Sequence, residues 1–175
     1  MTEDEEDRWL AEHWRLGQIV IDQIHDAFAD VEQGTVANLE DIVEDTTWDR
    51  MSSRPEGGMN TRWQDIPDAD IAGHNDLFPF MDERAFRYYV PAYMCWACRE
   101  LGEFDSTSAD YLLYNLELSS EPGTRAWQLE KWSLFNQAQR CSICMFLRFM
   151  YGFYSNKDAE KALESYWGQF CDSPA

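Results

Sequence analysis

Apolar residues recur along the start of the chain at the spacing of one helix face. Their positions alternate steps of four and three, at Leu10, Trp14, Gly17, Ile21, Ile24, Phe28 and Val31. Residues three and four apart share one side of a helix, so this period predicts an amphipathic first helix of about six turns. Its apolar stripe should face the core, Gly17 should let a second helix approach closely, and Gly34 is a suitable stop.

The segment from Asp82 to Leu101 is the densest aromatic segment and predicts a central helix. A helix that is apolar over most of its circumference is usually buried on several sides. One row of this segment steps by three or four residues, at Phe86, Tyr89, Tyr93 and Trp96. Asp82 is a suitable N-cap, and Pro91 predicts a kink or a break because it lacks a backbone donor. We expect this helix to be the hub of the fold, with Tyr89 and Trp96 largely buried.

Capping residues divide the rest of the chain into shorter helical segments, and the alternation typical of strands is almost absent. Suitable helix starts are Asn38, Asp68, Ser108, Asn136 and Asn156. Residues 49–60 indicate an exposed loop, residues 63–67 an extended anchor, and residues 121–124 a turn. The sequence therefore predicts an all-α fold, a single compact domain of six or seven helices around the central aromatic-rich helix. Residues 1–8 would form an acidic flexible leader and residues 9–170 the helical domain.

The chain of 175 residues has a net charge of −19, and 45% of its residues are hydrophobic. Residues 1–56 contain 16 acidic and 4 basic side chains, a net −12. Such a field repels phosphate backbones and anionic membrane surfaces and attracts basic proteins. We therefore expect a basic protein partner, with no direct binding of nucleic acid and no membrane association.

The N-terminus lacks the basic and then apolar pattern of a signal peptide, and no run approaches the roughly 20 apolar residues of a membrane helix. The five cysteines are an odd number, which fits a reduced compartment better than a disulfide framework. These features predict a cytoplasmic protein.

Four of the cysteines form two C-x-x-C pairs, Cys95 with Cys98 and Cys141 with Cys144. Four thiolates can hold zinc or an iron–sulfur cluster. Both pairs, however, lie inside predicted helices, where cysteines three residues apart are ordinary small apolar residues of one face. We expect no cofactor; a zinc or iron–sulfur site at these four cysteines is the alternative.

The three histidines, His13, His25 and His74, are scattered, and none belongs to a known catalytic motif. His13 and His25 lie off the apolar stripe of the first helix, which predicts solvated side chains.

Two further sets of residues are candidate binding sites. One set combines basic, acidic and aromatic side chains, at Arg62, Trp63, Asp65, Arg87 and Tyr88. If the anchor packs on the central helix, Arg87 would pair with Asp65, either as a buried ion pair or as part of an anion or peptide pocket. The other set is acidic and follows one face of the first helix at a spacing of four, at Asp22, Asp26 and Asp30. This face would be either a solvated surface or a docking strip for a basic partner.

Several of these segments resemble a known family. The residues 62–67 (RWQDIP), 80–82 (FMD) and 86–94 (FRYYVPAYM), with a second block at 128–134 (QLEKWSL), are similar to the signature of a family of small bacterial proteins known as a domain of unknown function. The resemblance covers about residues 18 to 150. It implies no activity, and the cysteine pairs, the acidic start and the tail after Tyr154 lie outside it.

Three hypotheses for the function follow. The favoured one is a non-enzymatic interaction module of adaptor, inhibitor or immunity type that binds a basic partner. The alternative is a metal- or iron–sulfur-binding regulatory or redox protein that uses the two cysteine pairs. An enzyme whose site has no recognisable motif is the third.

Overall fold

Seven α-helices and three short 3-10 helices account for most of the chain in the computed structural model, which describes residues 2–37, 39, 42, 62–100 and 107–171. The α-helices are α1 (Glu3–Ala27), α2 (Asp68–Gly73), α3 (Glu83–Arg99), α4 (Thr107–Leu116), α5 (Pro122–Lys131), α6 (Gln137–Tyr154) and α7 (Lys157–Ser165). The 3-10 helices are Trp63–Asp65, Phe78–Phe80 and Trp167–Phe170.

The described residues contain no β-strand, only one isolated antiparallel bridge between Glu32 and Arg62. The prediction of an all-α fold is confirmed. Asn38 and the predicted loop at residues 49–60 lie outside the described residues. Leu39 and Ile42, which belong to the segment predicted to start at Asn38, are helical and buried. None of the described helices combines the length and the apolar character needed to cross a membrane.

The central helix α3 is the hub of the core, as predicted. Tyr89 is 3% exposed and Trp96 is 6% exposed, and apart from Arg87 every residue from Ala85 to Cys98 is buried. Helices α1, α4, α5 and α6 all pack against it. The Asp82 side chain caps its first turn, accepting hydrogen bonds from the backbone N–H groups of residues 84 and 85 at 3.0 and 2.7 Å.

The predicted break at Pro91 does not occur, since α3 runs through this residue as one helix. Proline removes one backbone donor and so one intrahelical hydrogen bond. Pro91 is itself buried, and the residues around it contribute to the same core. Packing on several sides thus holds the helix together where the local sequence disfavours it.

Helix α1 lies between α3 and α6. A Cβ atom on Gly17 would lie 3.3 Å from the Cys98 carbonyl oxygen and 3.4 Å from the Phe149 ring, so this glycine permits the close approach that was predicted. The buried stripe is shifted from the predicted one, because Trp14 is 50% exposed while His13 is fully buried. A Thr2 capping box starts the helix at Glu3, within the segment predicted as a leader.

Short-range signals place most of the later helices correctly. Asn136 forms a capping box with Gln139 at the start of α6, and Asn156 caps α7. The predicted turn at residues 121–124 is instead the start of α5, where Glu121 is the N-cap and Pro122 the first helical residue. The predicted extended anchor at residues 63–67 contains a 3-10 turn. The first helix ends at Ala27, before the predicted stop at Gly34, which adopts a φ of +54° in a later turn.

Candidate functional site

The outward side of α1 carries two of the three acidic residues predicted as a binding strip. Asp22 and Asp26 are exposed on the helix, and Asp22 accepts a hydrogen bond of 2.7 Å from the Gln18 amide. Asp30 is exposed too, but it lies in the turn after the helix ends. Ile19 lies among these residues, one turn before Asp22, and is 40% exposed. We call Ile19, Asp22 and Asp26 the acidic face of α1.

Arg87 connects the hub helix to this side of the molecule, and it does not form the predicted pair with Asp65. Its Nε atom donates a hydrogen bond of 3.0 Å to the Gln139 side-chain oxygen. Its Nη2 atom lies 3.8 Å from a carboxylate oxygen of Asp30. The prediction was wrong because the other partner, Gln139, comes from α6, 52 residues away in sequence. Asp65 is exposed, and its charge contributes to the raised pKa of Tyr88.

The other residues of the mixed set do not form a common pocket. Trp63 is 1% exposed and anchors its segment, because its indole N–H donates a hydrogen bond of 3.0 Å to the Phe28 carbonyl. Arg62 is exposed and joins Glu32 through the backbone bridge. Tyr88 is 1% exposed, and burial, together with the Asp65 charge, raises the pKa of its hydroxyl to about 12. Trp63 and Tyr88 are therefore core residues.

A small crevice beside Trp63 is the feature that most resembles the predicted pocket. It is lined by side chains of α1, of the segment from residues 63 to 71, and of α3, namely His25, Trp63, Gln64, Ile66, Ile71, Ala92, Cys95 and Arg99. The ring of His25 lies 4.9 Å from that of Trp63 and closes one side. Arg99 is already paired with Asp68, at 2.6 Å. The crevice has room for about one water molecule, which makes it too small for an anion or peptide pocket.

His13 is a buried side chain that the sequence placed in solvent. It is 0% exposed and is surrounded by the rings of Trp9, Trp14, Phe149, Phe153 and Tyr154 at centroid distances between 5.1 and 5.9 Å. The Nε2 atom and the Tyr154 hydroxyl form a hydrogen bond, whereas Nδ1 has no partner among the described residues. Burial lowers the pKa of His13. No short-range signal marks this histidine, because three of the five rings, those of Phe149, Phe153 and Tyr154, come from α6.

We expect this burial to make the protein sensitive to mild acid. The folded state disfavours protonated His13, so its contribution to stability is present above the ordinary pKa of 6.5 and is lost as the pH falls through the lowered pKa. His13→Phe keeps an aromatic ring but cannot titrate. Urea unfolding between pH 7.5 and 5 should show a loss of stability in the wild-type protein that is absent from the variant. If the free energy of unfolding depends on pH equally in the wild-type protein and the variant, the acid sensitivity belongs to groups other than His13.

Lys131 is a second buried polar side chain that the sequence did not single out. It is 5% exposed, and its Nζ atom donates a hydrogen bond of 2.8 Å to the Phe78 carbonyl. The same atom lies 3.7 Å from the centroid of the Trp127 ring and 5.3 Å from that of Phe86. Desolvation lowers the pKa of this amine to about 8, although the Asp82 charge acts in the opposite direction. The spacing of four from Trp127 is the signal that could have indicated this cation–π contact.

The four cysteines of the metal-binding alternative have different environments. Cys95 and Cys98 are buried in α3, where burial raises the pKa of both thiols. Cys141 is half-buried and free, whereas Cys144 forms a disulfide with Cys171, with 5.5 Å between the Cα atoms. This single disulfide differs from the expectation, based on the odd number of cysteines, that a reduced compartment fits the chain better than a disulfide framework. Across the described parts of the chain, no three His, Cys, Asp or Glu side chains form a group that could hold a metal ion.

Comparison with known proteins identifies the family. A family of unknown function, DUF6714, matches residues 18–171, and because this match spans most of the chain, the protein belongs to that family. The match extends beyond Tyr154 and includes α7 and the C-terminal 3-10 helix, which the sequence resemblance left outside. No curated protein and no solved structure matches the chain.

Proposed function

We propose that this member of DUF6714 is a non-enzymatic interaction module, of adaptor, inhibitor or immunity type, that binds a basic protein through the acidic face of α1. The observation that supports the proposal is the exposure of Asp22 and Asp26 on the side of α1 that faces away from the core. The opposite side of α1 packs against α3 and α6, so the acidic face points away from both helices.

The composition of the acidic face fits an interface. Ile19 offers an apolar side chain, 40% exposed, between carboxylates that would form a charged rim. The net charge of −12 over residues 1–56 would steer a basic protein toward this end of the chain. Rim charges act mainly on the association rate, and their attraction is screened beyond about 8 Å at physiological salt. Binding should therefore weaken as the salt concentration rises.

The proposal is tested by capture of proteins from a lysate of the source cells, at low and at physiological salt. Asp22→Lys/Asp26→Lys should lose captured basic proteins at low salt. The control Glu130→Lys/Glu164→Lys changes the net charge by the same amount at exposed positions of α5 and α7 and should retain them. Ile19→Ala should weaken the capture at both salt concentrations.

The two charge variants also separate binding from folding. Reversal at Asp22 and Asp26 exchanges one pair of like charges four residues apart for another, so the local repulsion is unchanged. It also lowers the net charge of the chain from −19 to −15, since each substitution adds two positive charges, and a smaller net charge reduces self-repulsion. The melting temperature should therefore stay level or rise. If the double variant captures the same proteins as the wild type, or if the captured proteins are acidic, the acidic face is only a solvated surface.

A further inference from the structure

The C-terminal segment, residues 166–171, is joined to α6 by a disulfide that closes a long loop. Cys144, which is fully buried on α6, bonds to Cys171, 27 residues later. Their Cα atoms are 5.5 Å apart, inside the ordinary range of about 4.4–6.8 Å for disulfides. The bond therefore ties the end of the described chain to a core helix.

The fastened segment completes the core. Trp167 is 0% exposed and packs on Trp132 at a centroid distance of 4.9 Å. Arg140, on α6, donates a hydrogen bond of 2.9 Å to the Tyr166 hydroxyl and lies over the Phe170 ring. Release of Cys171 would leave this segment held by ring packing and by side-chain hydrogen bonds, without a covalent tie to α6.

Cys141 is the free thiol best placed to react with this disulfide. It lies three residues before Cys144, so the two share a face of α6 with Cα atoms about 5 Å apart, again within the disulfide range. Cys141 is half-buried, whereas the two other free thiols, Cys95 and Cys98, are buried within α3. Burial also raises the pKa of those two thiols, which lowers their thiolate fraction. Cys95 and Cys98 therefore serve as internal controls for thiol exchange.

We propose that Cys141, Cys144 and Cys171 form a thiol–disulfide latch, in which Cys141 exchanges with the Cys144–Cys171 bond and releases the C-terminal segment. The Cys141 thiol loses its proton, and its thiolate attacks Sγ of Cys144. The Cys141–Cys144 bond forms as the Cys144–Cys171 bond breaks, and the electron pair leaves with Cys171, which takes up a proton. One disulfide and one free thiol are present before and after, so the exchange needs no external oxidant or reductant.

The two bonded forms restrain the chain differently. The Cys144–Cys171 bond closes a loop of 27 residues, whereas a Cys141–Cys144 bond closes a single helical turn. Only the first form restrains the C-terminal segment, since both cysteines of the second form lie on α6. The latch is independent of the acidic face of α1, so its failure would leave the proposed function untouched.

The experiment uses the full chain purified without reductant and held at mildly alkaline pH, which raises the thiolate fraction. Samples are quenched in acid, alkylated and mapped by peptide mass spectrometry. Wild-type protein should show the Cys144–Cys171 bridge at first and gain a Cys141–Cys144 bridge with alkylated Cys171. Cys141→Ala should show only the first bridge. Amide hydrogen exchange over residues 167–171 should accelerate in the wild-type protein and stay slow in the variant.

A second variant is needed for the case in which the exchange equilibrium favours the Cys144–Cys171 bond and little of the Cys141–Cys144 bond accumulates. Cys171→Ser, oxidised with glutathione disulfide, should form the Cys141–Cys144 bridge without involving Cys95 or Cys98. Absence of that bridge from both proteins would overturn the latch, as would a Cys141–Cys171 bridge, which keeps the segment fastened. Five free thiols in the purified protein would overturn it as well.

Discussion

Replacement of Trp167 by alanine is expected to lower the free energy of unfolding by ~3–5 kcal/mol, the usual cost of truncating a core tryptophan. This residue is fully buried, and its ring packs on Trp132, Phe135, Tyr166 and Phe170 at centroid distances of 4.9–6.1 Å. Its indole N–H also donates a hydrogen bond of 2.8 Å to the Leu116 carbonyl. One side chain therefore joins the C-terminal segment to α4 and α5, and urea unfolding measures the loss.

Two further variants test the origin of this loss: one isolates the hydrogen bond, and the other is a control at an exposed tryptophan. Trp167→Phe keeps an aromatic ring but leaves the Leu116 carbonyl without its donor, which should cost about 1–3 kcal/mol. Trp14→Ala removes a tryptophan that is 50% exposed and should cost ~1 kcal/mol or less. Similar losses for Trp14→Ala and Trp167→Ala would contradict the assignment of Trp167 to the core.

The contribution of Lys131 to the stability of the protein should rise between about pH 8 and pH 10.5. Its pKa falls from 10.5 to about 8 in the folded state, so the unfolded chain binds more protons in this interval. The stabilising contribution of the neutral amine is present above pH 10.5 and is lost as the pH falls through the lowered pKa. With about 1.4 kcal/mol for each pKa unit, the difference amounts to ~3 kcal/mol.

Lys131→Met is the matched variant, because methionine fills a similar space and has no charge. The free energy of unfolding of the wild-type protein should rise by up to ~3 kcal/mol relative to this variant between pH 7 and pH 10. Groups common to both proteins, such as the tyrosines, cancel in the comparison. Parallel pH profiles would show that the Lys131 amine keeps its ordinary pKa in the folded protein.

The acidic face of α1 illustrates a site that was only partly predictable. The spacing of Asp22 and Asp26 and the apolar stripe opposite them were enough to predict that both carboxylates point outward, and the structure places them so. Asp30 was assigned to the same row, but the helix ends at Ala27. A helix end depends on what its last turn meets, and here Phe28 is buried with its carbonyl accepting the Trp63 indole N–H.

Local signals in the sequence determined the all-α class and the starts of α3, α6 and α7. Asp82, Asn136 and Asn156 cap their helices through backbone N–H groups two or three residues away, so neighbouring residues contain all the information needed. The aromatic density of α3 likewise predicted its central position, because a helix apolar on most sides has to be buried on most sides.

Tertiary packing alone decided which polar side chains are buried and what they contact. His13 lies in the core and Trp14 in solvent because α6 covers the side of α1 that carries the histidine. Arg87 pairs with Gln139 rather than Asp65, and Cys144 pairs with Cys171, through contacts between residues 52 and 27 positions apart. Periodicity identifies a helix face from residues three and four apart, but it contains no information about which distant element will pack there. These long-range contacts therefore determine the environments of His13, Lys131 and the cysteines, and with them the chemistry of the protein.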